Sequence, residues 1–418
     1  MQKKHGPDRP WLVMVMSQWP YPPVAGNTRR ILSLARHLSG AYRLALVTTS
    51  GPRPSRSALA EVFQRIDHAP RGLSANPRDH SLRGRLRVLR GWWRQRRYDA
   101  RERRAVGGLA ASWNGHPFWR ERRTGGHLLA RVCREVRPVA LIAEYGWMML
   151  PEGLIARGLG VPVVLDTHDV ISRRAASARA LGLEPRIDVI EAEEAAVLEL
   201  ADLVVAIQTE EAEHLRGMLP GKRVITVMHP AEPVRPDPAL EEQPGEVLFV
   251  GSKAAHNVDA LRWFIQEAWP AVLGGHPAAR LRVVGSIAEA LPDPELRLPS
   301  IDWTGRVENL EPVYARAQVV VCCPRFGSGL KIKTVEALAH GKPLVTTPLG
   351  VEGLDGVGSA CRVVSLQEFG DAVAGLLVDK PGRAELSEAA AVYAATQLSA
   401  AFCFRELDSE LRRLACPE

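Results

Sequence analysis

Residues 324–353 read PRFGSGLKIKTVEALAHGKPLVTTPLGVEG, and two lysines in this stretch stand where a cation is normally disfavoured. The apolar run AQVVVCC, ending at Cys323, reads as a buried strand leading into it. Gly327 and Gly329 let backbone amides approach a ligand closely, and the spacing predicts a helix opening near Leu330. A helix start carries partial positive charge, which disfavours a cation by about 0.3–1 kcal/mol. Lys331 and Lys333 nevertheless fall in that predicted first turn. A polyanion such as a diphosphate at the helix end would explain both. The alternative is that both ammonium groups bend away into water on long stems.

Farther along the predicted helix, Ile332, Val335, Leu338 and Ala339 recur at helical spacing and mark a core face, with Lys333, Glu336 and His340 opposite. Glu336 follows Lys331 by five residues, about 7.5 Å along the axis at 1.5 Å per residue. A carboxylate there is within reach of a ribose whose phosphates sit at the helix start. Gly341 and Pro343 end the helix, and LVTT reads as the next strand.

The elements that must hold these residues alternate along the chain. Strand-like runs lie at Trp11–Met16, Tyr42–Thr48, 139–144, 161–165, 202–207 and 223–228, with helical patterns between them. One such helix is predicted to be capped by Asn27 or Thr28. Apolar runs buried on both faces and separated by helices imply a parallel sheet covered on both sides. Residues 229–245 hold five prolines and read as a linker, after which EVLFVG, a helix from about Asn257, LRVVG, AQVVVCC, PLVTT and CRVV restart the alternation. The expected architecture is α/β: two Rossmann-like domains facing each other across a cleft. The expected boundaries are 1–235, 236–395 and a C-terminal helix over 396–418 that returns to the first domain. Sheets of this kind bind ligands at the carboxyl ends of their strands. Three strand ends are therefore candidates: Gly26-Asn27 after the first strand, Thr167-His168-Asp169 after VPVVL, and GSKAAHN with Lys253 after EVLFV. Asn257 in that last loop reads as a helix cap.

The run PRFGSGLKIKTVEALAHGKPLVTTPLGVEG, together with LFVGSKAAHN, IDWTGRVENLEPVYARA and VPVVLDTHDV, resembles the retaining glycosyltransferases of the GT-B fold, family 4 type. The resemblance is strongest over residues 246–353. It implies transfer of a sugar from a nucleotide diphosphate sugar to an acceptor hydroxyl with retention, in the making of a cell-surface polysaccharide, glycolipid or other glycoconjugate. It implies Gly327, Ser328, Gly329, Leu330 and Lys331 at the diphosphate, Glu336 at the ribose, Arg306 near the base, and Gly26 and Asn27 beside donor and acceptor. It also implies His168 and Asp169 at the donor sugar and Lys253 at a phosphate, with His168, Lys331 and Glu336 as the catalytic group. In the family the departing phosphate itself takes the acceptor's proton on the same face. Many members carry two glutamates separated by seven residues. Here Ser328 stands eight positions before Glu336, so the first glutamate is missing and the GSGLK loop takes its place.

Spacing excludes several rival chemistries. No GxxxxGK[ST] occurs, no GxGxxG follows the first strand, and neither an Asp-x-Asp pair nor a His/Cys cluster at metal-ligand spacing is present. The expectation is therefore no bound cofactor and no metal, with the nucleotide sugar as substrate. At 418 residues, 46% hydrophobic and 24% charged, the composition is that of an ordinary globular protein with scattered cysteines, expected in the cytoplasm. The net charge of +7 is uneven: residues 71–123 hold 15 Arg, no Lys and 4 acids, or +11, leaving −4 elsewhere. Within 83–104 the arginines interleave with Leu86, Val88, Leu89, Trp92 and Trp93. That pattern suits an anionic membrane surface, which would bring a lipid-linked acceptor to the inner face of the membrane. The alternatives are a solvated surface helix, a lid, or RNA binding, the last disfavoured because no RNA-binding module is present. Two other functional readings remain open: a non-transferring GT-B enzyme such as a nucleotide-sugar epimerase, and an inactive binding homologue.

Overall fold

Among the described residues every strand pair is parallel, as runs of Val, Leu and Ile buried on both faces require. The structure, a computed structural model, describes residues 9–17, 19–21, 26–48, 57–68, 125–150, 152–185, 187–235, 237 and 239–415. The Arg-rich segment lies outside them. Strands β1 (Trp11–Met16), β2 (Arg43–Thr48), β3 (Arg65–His68), β4 (Ala140–Glu144), β5 (Val163–Asp166), β6 (Leu203–Ala206) and β7 (Val224–Thr226) form one sheet, ordered β3-β2-β1-β4-β5-β6-β7. Strands β8 (Glu246–Val250), β9 (Arg280–Val284), β10 (Ile301–Gly305), β11 (Val319–Cys322), β12 (Leu344–Thr346) and β13 (Arg362–Val363) form the other, ordered β10-β9-β8-β11-β12-β13. Both orders are doubly wound. The winding reverses between β1 and β4 in one sheet and between β8 and β11 in the other, and a crevice opens at the carboxyl ends of such a switch point.

The chain divides into two compact units. Among the described residues the first takes those up to Ala176, Glu184–Val227 and those from Glu406, and the second takes Ser177–Leu183 and Met228–Arg405. Each has its own core. In the first, Val13, Val15, Val47, Leu141 and Leu165 of the sheet pack against Leu129, Val132, Val197 and Leu215 of its helices. In the second, Val247, Phe249, Val283 and Val321 pack against Phe264, Trp269 and Phe369. The rings of Phe264 and Phe369 meet edge to face at 5.9 Å, a preferred aromatic geometry.

The proline-rich stretch is less free than its composition suggests. Its backbone is stitched to the second unit, Ala231 N–H donating to Leu398 O and Val234 N–H to Ala339 O, each at 2.8 Å. The last stretch is broken into helices Lys380–Gln397, Ala400–Cys403 and Arg405–Ala415. The last of these lies in the first unit, where Asp408 meets His37 at 2.9 Å and Glu410 pairs with Arg223.

Candidate active site

The second unit's switch point is built from the loops that follow β8 and β11. After Cys322 the chain runs through Gly327 (φ 117°) and Gly329 (φ 75°), both in the left-handed region that glycine alone enters freely. A Cβ on Gly327 would meet nothing nearer than His256 Cβ at 3.9 Å, so conformation and not space demands glycine there. The helix that follows is Ile332–Ala339, two residues later than the sequence predicts. Lys331 is its cap residue, in extended conformation, and only Lys333 lies in its first turn. The delay arises because the left-handed Gly329 must be passed before the chain can wind. Buried Leu330 anchors the loop, and the first N–H groups of the helix have no partner within it.

The two lysines do not bend away into water. Lys331 is 7% exposed; its Nζ donates to Gly329 O at 2.6 Å and lies 3.8 Å from Glu352. A buried ammonium at a helix start adds positive charge where an anion would sit. Lys333 donates to Asn257 Oδ1 and lies 5.5 Å over the Phe249 ring. Asn257 is thus a partner of Lys333 and not a helix cap; the cap of Ala255–Trp263 is Ala254, and Asn257 Nδ2 donates to Ser252 O at 3.1 Å. Glu336 is half-buried and accepts from the Tyr314 hydroxyl at 3.4 Å, and that ring stacks on His340 at 4.3 Å. Arg306, at the end of β10, forks onto Glu289 at 2.8 and 3.4 Å, with Lys253 Nζ 3.8 Å from the same carboxylate. Arg306 first, then Lys253, holds the Glu289 carboxyl below its usual range.

The first unit presents a denser cluster at its own switch point. Register pairs Glu144 at the end of β4 with Asp166 at the end of β5. Arg30, from the helix Gly26–Leu38, grips Asp166 in a fork of two 2.9 Å bonds, both side chains 1% exposed. His168 Nε2 lies 2.7 Å from Glu144 Oε2. The imidazole stacks on Tyr145 at 4.0 Å, and Tyr145 stacks on Trp147 at 4.1 Å. Tyr145 (φ 74°) and His168 (φ 62°) both hold left-handed backbone that costs a side-chain-bearing residue energy. Such strain gathers at functional sites. Burial pushes the Glu144 carboxyl above its usual range, with His168 pulling the other way. Burial also acts on Asp166, but Arg30 and His168 outweigh it and hold that group low.

Gly26 and Asn27 open the helix and do not precede it; Asn27 Oδ1 accepts from Thr28 N–H at 2.9 Å, and its side chain also bonds the Tyr145 hydroxyl. Asp169 pairs with Arg174. The next helix start, Ile171–Ala180, is closed to an anion, because Glu194 accepts from Ile171 and Ser172 N–H at 2.8 Å each. Glu144, Asp166 and His168 bring ligand atoms within 4.8 Å of one another. Both Asp166 oxygens already bind Arg30, and the near edges of Glu144 and His168 bind each other, so the three read as an ion-pair network. Sequence reasoning missed Arg30, Glu144, Tyr145 and Asp166. The one signal available was the polar ending of the apolar runs at Glu144 and Asp166.

Residues 244–379 match the family Glycosyl transferases group 1. No curated protein matches the sequence significantly. Among solved structures, HepE of Anabaena in complex with UDP and glucose superposes with a TM-score of 0.64 at 12% identity, covering 96% of this chain and 99% of that one. Sucrose-phosphate synthase of Thermosynechococcus elongatus gives 0.67 at 16% identity, over 97% and 99%. WaaG, a glycosyltransferase involved in lipopolysaccharide biosynthesis, gives 0.55 at 15%, over 95% and 99%. With two doubly wound parallel sheets and these structural neighbours over nearly its whole length, the chain has the GT-B fold, and the part of its second unit over residues 244–379 is similar to the group 1 glycosyl transferases.

Proposed function

We propose that this protein transfers a sugar from a nucleotide diphosphate sugar to an acceptor hydroxyl with retention of configuration. The observation that carries the reading is the buried Lys331 at the start of Ile332–Ala339, behind two left-handed glycines. Gly327, Ser328, Gly329 and Leu330 supply backbone to the diphosphate. Lys331 and the helix N-terminus hold the negative charge that grows on the departing β-phosphate. Glu336 takes the ribose, Lys253 and Arg306 flank the nucleotide, and His168, Asp169, Gly26 and Asn27 serve the sugar end. The leaving phosphate accepts the acceptor's proton, so no protein nucleophile is required and no metal enters the step.

Fold-mates support this class of donor: HepE was solved with UDP and glucose, and WaaG acts in lipopolysaccharide biosynthesis. The acceptor we assign is a glycoconjugate intermediate, lipid-linked and met at the inner face of the membrane. A thermal-shift screen of nucleotide sugars identifies the donor, and release of nucleotide diphosphate measures turnover. Lys331→Ala is expected to lower turnover about 100-fold or more and Glu336→Ala to weaken donor use strongly, both with unchanged circular dichroism. Near-normal turnover in both variants refutes the site. Interconversion of the donor sugar without any acceptor would point to an epimerase instead.

A further inference from the structure

Behind His168 stands a carboxylate to which the assignments above give no role. Glu144 is fully buried, its Oε2 2.7 Å from His168 Nε2 and its Oε1 without a hydrogen bond. The surrounding ionisable groups have partners of their own. Arg30, from the helix Gly26–Leu38, neutralises Asp166 on β5, and Arg174, from the helix Ile171–Ala180, neutralises Asp169. Glu194 and Glu211 face the backbone of Val170, Ile171 and Ser172. The Tyr145 hydroxyl, bonded to Asn27, is pushed by burial further from ionising.

Glu144 and His168 must therefore settle their charge between themselves. An unbalanced negative charge at a site closed to water is strongly disfavoured. Two neutral arrangements exist: a carboxylate facing an imidazolium, and a carboxylic acid donating to Nε2 of a neutral ring. In both, a hydrogen remains on Nδ1. Only a carboxylate accepting from the Nε2–H of a neutral ring leaves Nδ1 bare, and that arrangement strands a net negative charge. The Tyr145 stack fixes the ring plane, and Nδ1 makes no hydrogen bond among the described residues.

We propose that Glu144 is a positioning residue that keeps a hydrogen on His168 Nδ1, making the ring a fixed hydrogen-bond donor to an oxygen of the donor sugar. This rests on the assignment of His168 to the sugar end of the donor. The test is a ¹⁵N spectrum of histidine-labelled protein at pH 7, with His168 identified by its loss in His168→Asn. A protonated, pyrrole-type Nδ1 is expected; a bare, pyridine-type Nδ1 with hydrogen only on Nε2 overturns the proposal. Glu144→Leu frees the ring to lose the Nδ1 hydrogen. It is expected to shift that signal to the bare type and to cut kcat/KM for the nucleotide sugar about tenfold, leaving affinity for the bare nucleotide diphosphate unchanged. An unmoved Nδ1 signal in a folded Glu144→Leu variant also overturns it, and if that variant fails to fold, the wild-type spectrum decides alone. A protein with Nδ1 protonated that transfers no sugar would defeat the proposed function and leave this charge argument standing.

Discussion

A glycine's conformation and the room around it are separate demands, and the loop after β11 tells them apart. At Gly327 (φ 117°) a methyl group meets only His256 Cβ, at an ordinary contact distance of 3.9 Å, so Gly327→Ala strains only the backbone, by roughly 1–3 kcal/mol. The expected outcome is a lower melting temperature or a loop that relaxes out of shape with weaker nucleotide affinity. Gly358→Ala, with open space and no left-handed backbone, is expected to change neither. Equal behaviour of the two variants in thermal melts and nucleotide titrations would remove the loop's special status. These glycines were legible in the sequence because they stand between a strand and a helix pattern. The Arg30–Asp166 and Glu144–His168 pairs were not, since they join residues 136 and 24 positions apart. Only the parallel register that sets β4 beside β5 makes Glu144 and Asp166 neighbours.

Elements buried on both faces were read correctly to within a residue or two, β1 at Trp11–Met16 without error. The two strands missed, β3 and β10, each lie at one edge of a sheet, whereas β7 and β13 at the opposite edges were read. β3 (RIDH) is half-buried throughout, and β10 (IDWTG) has one buried residue among its five, so neither shows an apolar run. With one neighbouring strand each, neither β3 nor β10 needs a fully apolar run. The C-terminal helix Arg405–Ala415 is fastened by charge as well as by Leu407 and Leu411. Glu410 receives Arg223 and, at 3.0 Å, Arg413. The Arg223 hydrogen bond, with Arg413 after it, holds the Glu410 carboxyl below its ordinary 4.5. A carboxylate favoured by the folded state contributes above the unfolded value, and its contribution fades as pH falls through the lower, folded one. Glu410→Gln is expected to cost about 1 kcal/mol at pH 7, modest because the arginines are solvated. The difference from wild type should close as pH drops below 4.5. An undiminished gap at pH 3 in thermal melts would show that packing and not charge fastens the helix.

For the molecule as a whole, the distribution of charge carries an argument that neither sheet does. With +11 in residues 71–123 and −4 elsewhere, a negatively charged surface attracts that segment and mildly repels the remainder. Each arginine held near an anionic bilayer contributes about 1 kcal/mol, and the interleaved Trp92 and Trp93 have rings suited to the headgroup boundary. Among the described residues no helix is long and apolar enough to cross a membrane. Attachment through the arginines would be electrostatic first and therefore salt-sensitive. The screening length falls from about 10 Å at 0.1 M salt to about 3 Å at 1 M. The protein is expected to float with vesicles rich in anionic lipid at low salt, to remain behind with neutral vesicles, and to detach as salt approaches 1 M. Changing Arg94, Arg96, Arg97 and Arg101 to Glu reverses four charges and should abolish flotation while leaving transfer to a soluble acceptor intact. Flotation that survives both high salt and this charge reversal would mean that the tryptophans and leucines, not the arginines, hold the surface. No flotation at low salt would reduce the segment to a solvated face or a lid, and the acceptor would then have to reach the enzyme through solution.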